Sequence, residues 1–497
     1  MARYNNSMEL SPEICYRAMQ TRDARFDGRF FVAVRTTGIY CRPVCPAPEP
    51  KLENCTFVPS AAAAHELGYR PCLRCRPETS PGTPAWLGTS AVVSRALRLI
   101  SSGALDRGSV DGLAARLGVG ERHLRRLFLK HLGASPLSVA RTRRILFAKK
   151  LINETPLPMA DVAMSSGFSS IRSFNESIRD TYDRSPSELR RELAFPNGTG
   201  PGHAISLRLP FRAPFQWDAL IGFLAPRATP GVEEVSPAFY RRTVRCEDVH
   251  GIVEVRPAAG ESYLTASIWL THPRALLGVV ERLRRLFDLL ADPSEITAHL
   301  RTDRRLAPLV DRMPGLRVPG AWNGFELAVR AILGQQVSVK GATTLAGRIA
   351  AAYGEPLPAA ARVAGINALT TLFPEPLALA EADLRAAGLT GAREKAVRSL
   401  ASAVARGEIS FDSGRDLDET VRQLCALEGI GEWTAQYIAM RALGEPDAFP
   451  ASDLGLRKAL AAGEKLPGER DVLQAAEAWR PWRAYGAMYL WTSGQGE

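Results

Sequence analysis

Two pairs of closely spaced cysteines near the beginning of the chain have the pattern of a metal site. Six of the eight cysteines lie before residue 76, and four of them form the patterns Cys41-x3-Cys45 and Cys72-x2-Cys75. Thiols stay reduced in the cytosol, so clustered cysteines there indicate metal binding before disulfide bonds. Four thiolates suit tetrahedral Zn²⁺, and most such sites only stabilise a fold. The spacing therefore predicts one zinc ion with these four cysteines as its ligands.

The residues around the cysteines indicate more than a structural metal. Residues 34–43 (VRTTGIYCRP) and 68–75 (GYRPCLRC) resemble the amino-terminal domain of the Ada family of alkylation-response regulators. The resemblance implies that a zinc-bound thiolate, Cys41, takes a methyl group from a methylated DNA phosphate. Zinc keeps a thiol deprotonated, and the thiolate is the nucleophilic form, so the chemistry fits. The resemblance also implies two DNA-binding residues, Thr37 and Arg70.

Methyl transfer to the cluster implies a switch. A zinc ion with four thiolate ligands has a net negative charge, which repels DNA. Methylation of one thiolate reduces this charge, so the affinity for DNA should rise. The family commonly has arginines just after the second cysteine, where this chain has Pro46 and Pro48. The chain has no Pro-Cys-His-Arg segment, so methyl acceptance from O6-methylguanine is not predicted.

A carboxylate in the carboxy-terminal half has a pattern of its own. Gly429-x-Gly431 joins two predicted helices, and glycines there let backbone N–H groups approach a phosphate. Asp453 follows at the start of a further helix, where it could be only a helix cap. At this separation, the two features resemble the helix-hairpin-helix superfamily of DNA glycosylases, in which Asp453 would be the catalytic aspartate.

Further segments narrow this resemblance to bacterial 3-methyladenine DNA glycosylase II; they are 330–339 (RAILGQQVSV), 433–437 (WTAQY) and 479–483 (WRPWR). Trp433 lies where lyases of the superfamily have a lysine, so base hydrolysis without strand cleavage is expected. Gln336 lies where the family has the residue that fills the gap left by a flipped base. The tail lacks a four-cysteine iron–sulfur loop, and neither that cluster nor an organic cofactor is expected.

The leaving group suggests the mechanism. An alkylated base carries positive charge and leaves readily, so Asp453 would stabilise the oxocarbenium sugar or orient water. Trp433, Tyr437 and Trp491 would stack on the cationic base, an interaction of ~0.5–2 kcal/mol. The alternative is that these aromatic residues only pack helices together.

Two similar helical segments lie between these reactive regions. In residues 111–128 and 161–175, a short helix meets a glycine turn and then a second helix with a polar face. The pattern predicts helix-turn-helix units, although a plain helical bundle would share it. The stretch resembles the tandem DNA-binding domain of the AraC family. The candidates for groove contact are Arg122, His123, Arg125, Arg126, Ser170, Arg172 and Asn175.

The positive charge of the chain is concentrated in the same segment. The formal net charge is +11, and residues 81–195 hold 18 basic and 10 acidic side chains, whereas residues 196–497 hold 34 of each. This distribution favours a nucleic-acid surface.

No run reaches the ~20 apolar residues of a membrane span, and the amino terminus lacks a secretion signal. A cytoplasmic, nucleoid-associated protein that does not bind membranes is therefore expected.

The sequence divides into elements that position these residues. Alternating apolar residues over 205–268 predict strands with one buried face, and helices follow beyond residue 274. The predicted fold is multidomain, mainly α with α+β parts. The predicted domains are a zinc methyl-acceptor domain at 1–80, a helix-turn-helix domain at 85–195, a β-rich subdomain at 203–312 and a helix-hairpin-helix glycosylase domain at 313–497.

Two functions follow from these features. The first is a bifunctional alkylation-damage protein that excises alkylated bases from double-stranded DNA and, after methyl transfer, binds a promoter operator and RNA polymerase. The alternative is a zinc-dependent transcription regulator whose carboxy-terminal half is a catalytically inactive DNA clamp. The presence of Asp453 among aromatic residues favours the first function.

Overall fold

The computed structural model describes residues 10–82, 91–106, 108–191, 204–411, 414–461 and 465–493. Within these ranges the fold is multidomain and mainly helical, with small sheets, which confirms the predicted fold class. None of the helices in these ranges has the length and the apolar character of a bilayer-spanning segment. The predicted domain boundaries stay predictions.

The first part of the chain forms a four-stranded sheet with the strand order β3-β1-β2-β4. Its elements are α1 (Pro12–Gln20), β1 (Phe31–Val34), β2 (Ile39–Cys41), β3 (Cys55–Val58), α2 (Ala61–Glu66) and β4 (Arg70–Pro71). Strands β2 and β4 pair in parallel, with Tyr40 opposite Pro71. Because each strand ends at or next to a predicted zinc ligand, this pairing brings the two cysteine pairs together.

The two predicted helix-turn-helix units are confirmed as pairs of helices. The elements are α3 (Ala91–Ser101), α4 (Val110–Arg116), α5 (Glu121–Leu132), α6 (Pro136–Glu154), α7 (Met159–Ser165), α8 (Ile171–Tyr182) and α9 (Pro186–Arg191). The pairs are α4 with α5 and α7 with α8, and the long α6 joins them. Leu113, Leu124 and Phe128 are buried in the first unit, and Phe174 and Ile178 in the second.

A five-stranded antiparallel sheet follows, with the order β5-β9-β8-β7-β6. Its strands are β5 (Ile205–Pro210), β6 (Glu233–Ser236), β7 (Phe239–Cys246), β8 (Val249–Pro257) and β9 (Tyr263–Leu270), with α10 (Trp217–Leu224) between the first two. The strands themselves were predicted. The prediction that each strand has only one buried face is wrong for β8. Val253 and Val255 face the main core, while Ile252 packs with Leu357 and Leu369 of a second cluster. A later segment covers what the sequence alone presents as a solvent face.

The remaining elements are mostly helices that pack around one large core. They are α11 (Leu276–Leu286), α12 (Pro293–Leu300), α13 (Ala307–Arg312), α14 (Gly324–Leu333), α15 (Val339–Tyr353), β10 (Glu355–Pro356), β11 (Thr371–Leu372), α16 (Pro376–Glu381), α17 (Gly391–Ala405), α18 (Leu417–Cys425), α19 (Glu432–Arg441), α20 (Leu454–Ala459), α21 (Glu469–Ala476) and α22 (Arg483–Ser493). The hairpin α18–α19 packs beside α14, which is buried along nearly its whole length. Helices α19, α20 and α22 meet at the candidate active site.

Candidate metal centre and candidate active site

The four predicted zinc ligands lie together. The Sγ atoms of Cys41, Cys45, Cys72 and Cys75 are all within 4.8 Å of one another, and the Cys45 and Cys72 sulfurs are 4.0 Å apart. Zn–S bonds of about 2.3 Å in a tetrahedron place sulfurs about 3.8 Å apart, so this donor set fits Zn²⁺. Cys72 and Cys75 are buried, whereas Cys41 and Cys45 are half-buried. The first pair of cysteines is therefore the more exposed of the two pairs.

Arg42 fixes the loop that carries Cys41, a role that sequence reasoning missed. Its backbone N–H donates to the Cys75 sulfur at 3.3 Å, and its guanidinium donates to the Cys75 carbonyl at 3.1 Å. The same guanidinium forms a half-buried ion pair with Asp27, with a 2.9 Å bond from Nε. The only signal in the sequence was the position of Arg42 directly after a ligand.

The two predicted phosphate contacts of this domain lie in different surroundings. Thr37 is exposed in the turn between β1 and β2, where its hydroxyl donates to the Val34 carbonyl at 3.3 Å. Arg70 forms an exposed ion pair with Asp183, the residue that ends α8 in the second helix-turn-helix unit. The guanidinium that was predicted to contact a DNA phosphate is therefore paired with a carboxylate. Both DNA contacts stay predictions.

Three donors hold the carboxylate of Asp453. Its Oδ1 accepts the Leu456 backbone N–H at 3.0 Å, which makes it the N-cap of α20, and the Trp491 indole N–H at 2.9 Å. Its Oδ2 accepts the Trp433 indole N–H at 3.0 Å. Asp453 is thus a helix cap and also the centre of an aromatic cluster. Two of the predicted stacking residues orient the carboxylate through their N–H groups, a contact that the sequence did not suggest.

The aromatic rings form a half-buried wall beside Asp453. Trp433 and Tyr437 lie one turn apart on α19 and stack, with centroids 5.4 Å apart and planes 10° apart. Tyr437 lies 6.2 Å from Trp491, and Trp491 stacks on Phe223 of α10 at 6.4 Å. The structure therefore brings the three predicted pocket residues together and adds Phe223, which sequence reasoning missed.

Two arginines lie behind this wall. Arg441 donates to the Tyr437 hydroxyl at 2.8 Å, and the Arg227 guanidinium lies 3.8 Å from the centroid of the Phe223 ring. Burial by itself raises the pKa of the Tyr437 hydroxyl, but the charges of Arg441 and Arg227 outweigh burial and lower this pKa. The two guanidinium charges therefore favour the ionised form of the Tyr437 hydroxyl.

The two glycines of the hairpin before Trp433 differ in backbone conformation and in the space around them. Gly429 has a φ of +79°, and a Cβ there would lie 2.6 Å from the Ala396 side chain, so another residue would meet strain and a clash. Gly431 is the N-cap of α19 with an ordinary φ of −88°, and nothing lies within 4 Å of a Cβ there. Of these two glycines, only Gly429 has a positive φ. The second leaves open space in front of the N–H groups that begin α19.

The loop before α15 presents Gln336 to solvent. Gln336 is exposed with a φ of +54°, and its neighbour Gln335 donates from Nε2 to the Gly429 carbonyl and the Thr434 hydroxyl, both at 2.9 Å. These bonds tie the loop to the hairpin. The predicted gap-filling residue therefore lies on the same side of the molecule as Gly431.

Most of the candidate groove contacts are exposed on α5 and α8. Arg122, His123, Arg125, Arg126 and Arg172 are exposed, and Asn175 is half-buried. Ser170 has another role, because its hydroxyl accepts the Ser173 N–H at 3.1 Å as the N-cap of α8. The base contacts themselves stay predictions.

Sequence comparisons agree with this architecture of a metal-binding regulator joined to a DNA glycosylase fold. The family described as the metal binding domain of Ada matches residues 14–78, a helix-turn-helix domain matches 113–192, and the AlkA N-terminal domain matches 206–323.

Individual relatives agree with these domain matches. The "probable bifunctional transcriptional activator/DNA repair enzyme AlkA" of Mycobacterium tuberculosis is 47% identical over 484 residues, which cover 97% of this chain and 96% of that protein. The chain therefore belongs to the family of AlkA-type bifunctional transcriptional activator/DNA repair proteins. DNA-3-methyladenine glycosylase 2 of Escherichia coli is 32% identical over 288 residues, 57% of this chain and 95% of that protein. The bifunctional transcriptional activator/DNA repair enzyme Ada of Escherichia coli is 36% identical over 121 residues, 24% of this chain and 33% of that protein.

Proposed function

We infer that this protein repairs alkylated DNA at two separate sites. One of these reactions methylates the protein itself, and the methylated protein regulates transcription. The observation that carries the inference is the Asp453 carboxylate, held by the indoles of Trp433 and Trp491 inside a half-buried aromatic wall. A helix cap needs neither indole, so a catalytically inactive clamp does not account for them.

At this site the reaction is hydrolysis of the bond between an alkylated base and its sugar. The cationic base, flipped from the duplex, lies against Tyr437 and its aromatic neighbours. The C1′–N bond breaks, and its electron pair leaves with the base, which becomes neutral. Asp453 stabilises the positive sugar that forms, and water then adds to C1′ and loses its proton. Both indoles keep their N–H donors on the carboxylate, so its oxygens stay oriented during the step.

Trp433 also sets the type of glycosylase. It occupies the hairpin position where a lyase holds the amine that forms a Schiff base. The proposed enzyme therefore releases the base by hydrolysis and leaves the abasic strand uncut. Borohydride, which traps Schiff bases, should leave no protein covalently bound to the DNA.

At the thiol cluster the reaction is methyl transfer. The Cys41 sulfur attacks the methyl carbon of a DNA methyl phosphotriester, the O–CH3 bond breaks, and its electrons remain on the phosphate as an ordinary diester. The four cysteines would hold a zinc ion, which would keep the Cys41 sulfur as a thiolate. Cys41 and Cys45 are both half-buried, against the buried Cys72 and Cys75, and the resemblance to the Ada family selects Cys41 of these two as the acceptor.

The exposed helices α5 and α8 support sequence-specific binding to a promoter by the methylated protein, with RNA polymerase as the further partner. Methylation removes a negative charge from the zinc site, and this weakens the repulsion of DNA phosphates.

The decisive experiment measures free 3-methyladenine released from methylated duplex DNA by the wild-type protein and by Asp453→Asn. Release by the wild type and its loss in the variant support the glycosylase. A wild-type protein that binds this DNA tightly but releases no base would establish the inactive clamp instead.

A further inference from the structure

A cavity of about 110 Å³ lies between α3, the first helix of the helix-turn-helix part, and the glycosylase part. Arg95 and Arg98 line it from α3. The opposite wall comes from the region after α11, the start of α18 and the loop that follows α19. The charged residues that line the cavity within the described ranges are Arg95, Arg98, Arg284, Arg285, Arg415, Arg441, Asp288 and Glu445.

The two carboxylates of this cavity already have partners. Glu445 accepts from the Arg98 guanidinium at 2.6 Å. Asp288 accepts from the Tyr485 hydroxyl at 2.8 Å and from the Val318 backbone N–H at 3.3 Å. Positive charge is therefore in excess around the cavity, and its acids do not bind the remaining guanidinium.

That guanidinium belongs to Arg95. The residue is only 8% exposed, its Nε is buried without a hydrogen-bond partner, and no described residue forms an ion pair with it. Burial lowers the pKa of this arginine, although the negative charges of Glu445 and Asp416 act to raise it. An uncompensated charge in a protein interior is costly, so a bound anion at this place would stabilise the packing.

We propose that this cavity binds free inorganic phosphate, with Arg95 as its ligand from α3, and that the bound anion strengthens the contact between the helix-turn-helix part and the glycosylase part. The planar donors of a guanidinium match the geometry of an oxyanion. The volume exceeds the ~10–15 Å³ that one water needs and is well below the ~300 Å³ of a nucleotide or cofactor pocket, so it suits a small anion. A phosphate inside a DNA chain has a sugar on each side and does not fit.

The test is calorimetric titration of the full chain with inorganic phosphate at constant ionic strength. The variants are Arg95→Gln and a matched control, Arg406→Gln, whose exposed guanidinium pairs with Glu408 at 2.6 Å. Arg95→Gln should weaken phosphate binding by about tenfold or more, because a charge-assisted contact is lost. Arg406→Gln should bind as the wild type does. Phosphate should also raise the melting temperature of the wild type and of the control, but not that of Arg95→Gln.

A folding defect would be visible as a changed circular dichroism spectrum. It is not expected, because Arg95→Gln removes a buried charge that lacks a partner. If Arg95→Gln folds and responds to phosphate as the wild type does, the site is not at Arg95 and the proposal is overturned. Phosphate binding that is weakened equally in Arg406→Gln would also overturn the proposal, because it would show only unspecific screening of charges. Undamaged duplex DNA at a matched phosphate concentration should not compete, and competition that depends on Arg95 would assign the cavity to DNA instead.

Discussion

The two reactive centres of this chain are built in opposite ways. The thiol cluster takes its four sulfurs from two short segments, which the parallel pairing of β2 and β4 brings together. The carboxylate centre takes one acid from the start of α20 and surrounds it with side chains of α10, α19 and α22. The ligands of the first centre come in two closely spaced pairs, whereas the second centre exists only after side chains from four helices have packed.

The difference follows from what each centre does. In the proposed function Cys41 is consumed once, so its surroundings need only hold the metal and leave one sulfur accessible. Asp453 acts in every turnover and needs both oxygens oriented, and two neutral indole donors orient them without adding a positive charge that would repel the sugar cation. A single-use nucleophile can be held by local sequence, but a catalytic carboxylate needs a preorganised shell.

The largest expected effect comes from removing the charge of Asp453. Asp453→Asn should lower single-turnover base release about 10²- to 10³-fold, because the carboxylate stabilises charge that develops only in the transition state. Binding to methylated DNA, measured by a mobility shift, should persist. Asp311→Asn, which changes an exposed acid paired with Arg301, is the control and should keep full activity. Undiminished release by Asp453→Asn would show that the two centres do not differ as described.

A pH titration should affect the thiol region through His65. This residue lies between Tyr40 and Thr142 of α6, at 3.1 and 2.9 Å, and burial lowers its pKa to about 4. The unfolded imidazole takes up a proton below its ordinary pKa of 6.5, whereas the folded one stays neutral until about pH 4. Stability is therefore complete above pH 6.5 and falls by up to roughly 3 kcal/mol as the pH drops toward 4.

The measurement is the free energy of unfolding of the zinc-loaded protein at pH 7 and at pH 5. His65→Gln retains every cysteine, so the proton dependence of zinc binding is the same in both proteins and cancels in the comparison. The variant should lose less stability than the wild type over this range. An equal loss would mean that the imidazole is not the titrating group.

Removing one indole donor should have a smaller effect than removing the carboxylate. Trp491→Phe keeps an aromatic ring beside Phe223 but loses the N–H on Asp453 Oδ1. Base release should fall by about tenfold, the value of one hydrogen bond to a charged group. Trp269→Phe, in the sheet, is the control. If Trp491→Phe had full activity, the wall would serve only for stacking, and the contrast with the thiol cluster would weaken.

The smallest effect should be the change in DNA affinity after methylation of the thiol cluster. Peptide mass mapping should place one methyl group on Cys41, and the methylated protein should bind its operator several-fold more tightly at low salt, from a charge term of about 1 kcal/mol. The gain should shrink as salt screens the charges. Methyl on Cys45 instead, or equal affinities at low salt, would contradict the assignment of the acceptor or of the switch.

The sequence by itself determined those features that short motifs mark in the chain. The spacing of Cys41, Cys45, Cys72 and Cys75 indicated a single tetrahedral site, and the two helix-turn-helix units followed from helical periodicity with a glycine turn. Asp453 was found through a motif resemblance. Local spacing works in these cases because the geometry of one strand, helix or turn fixes which residues meet.

Only the tertiary structure decided the contacts between distant segments. The indoles that hold Asp453 lie 20 and 38 residues from it, and Phe223 comes from a helix beside the sheet. The Arg70–Asp183 ion pair and the Arg95 Nε without a hydrogen-bond partner arise where separate modules pack against each other. Periodicity reports which side of an element is apolar, but it does not report which other element covers that side. The surroundings of the carboxylate therefore follow from packing, whereas the ligand set of the metal follows from sequence.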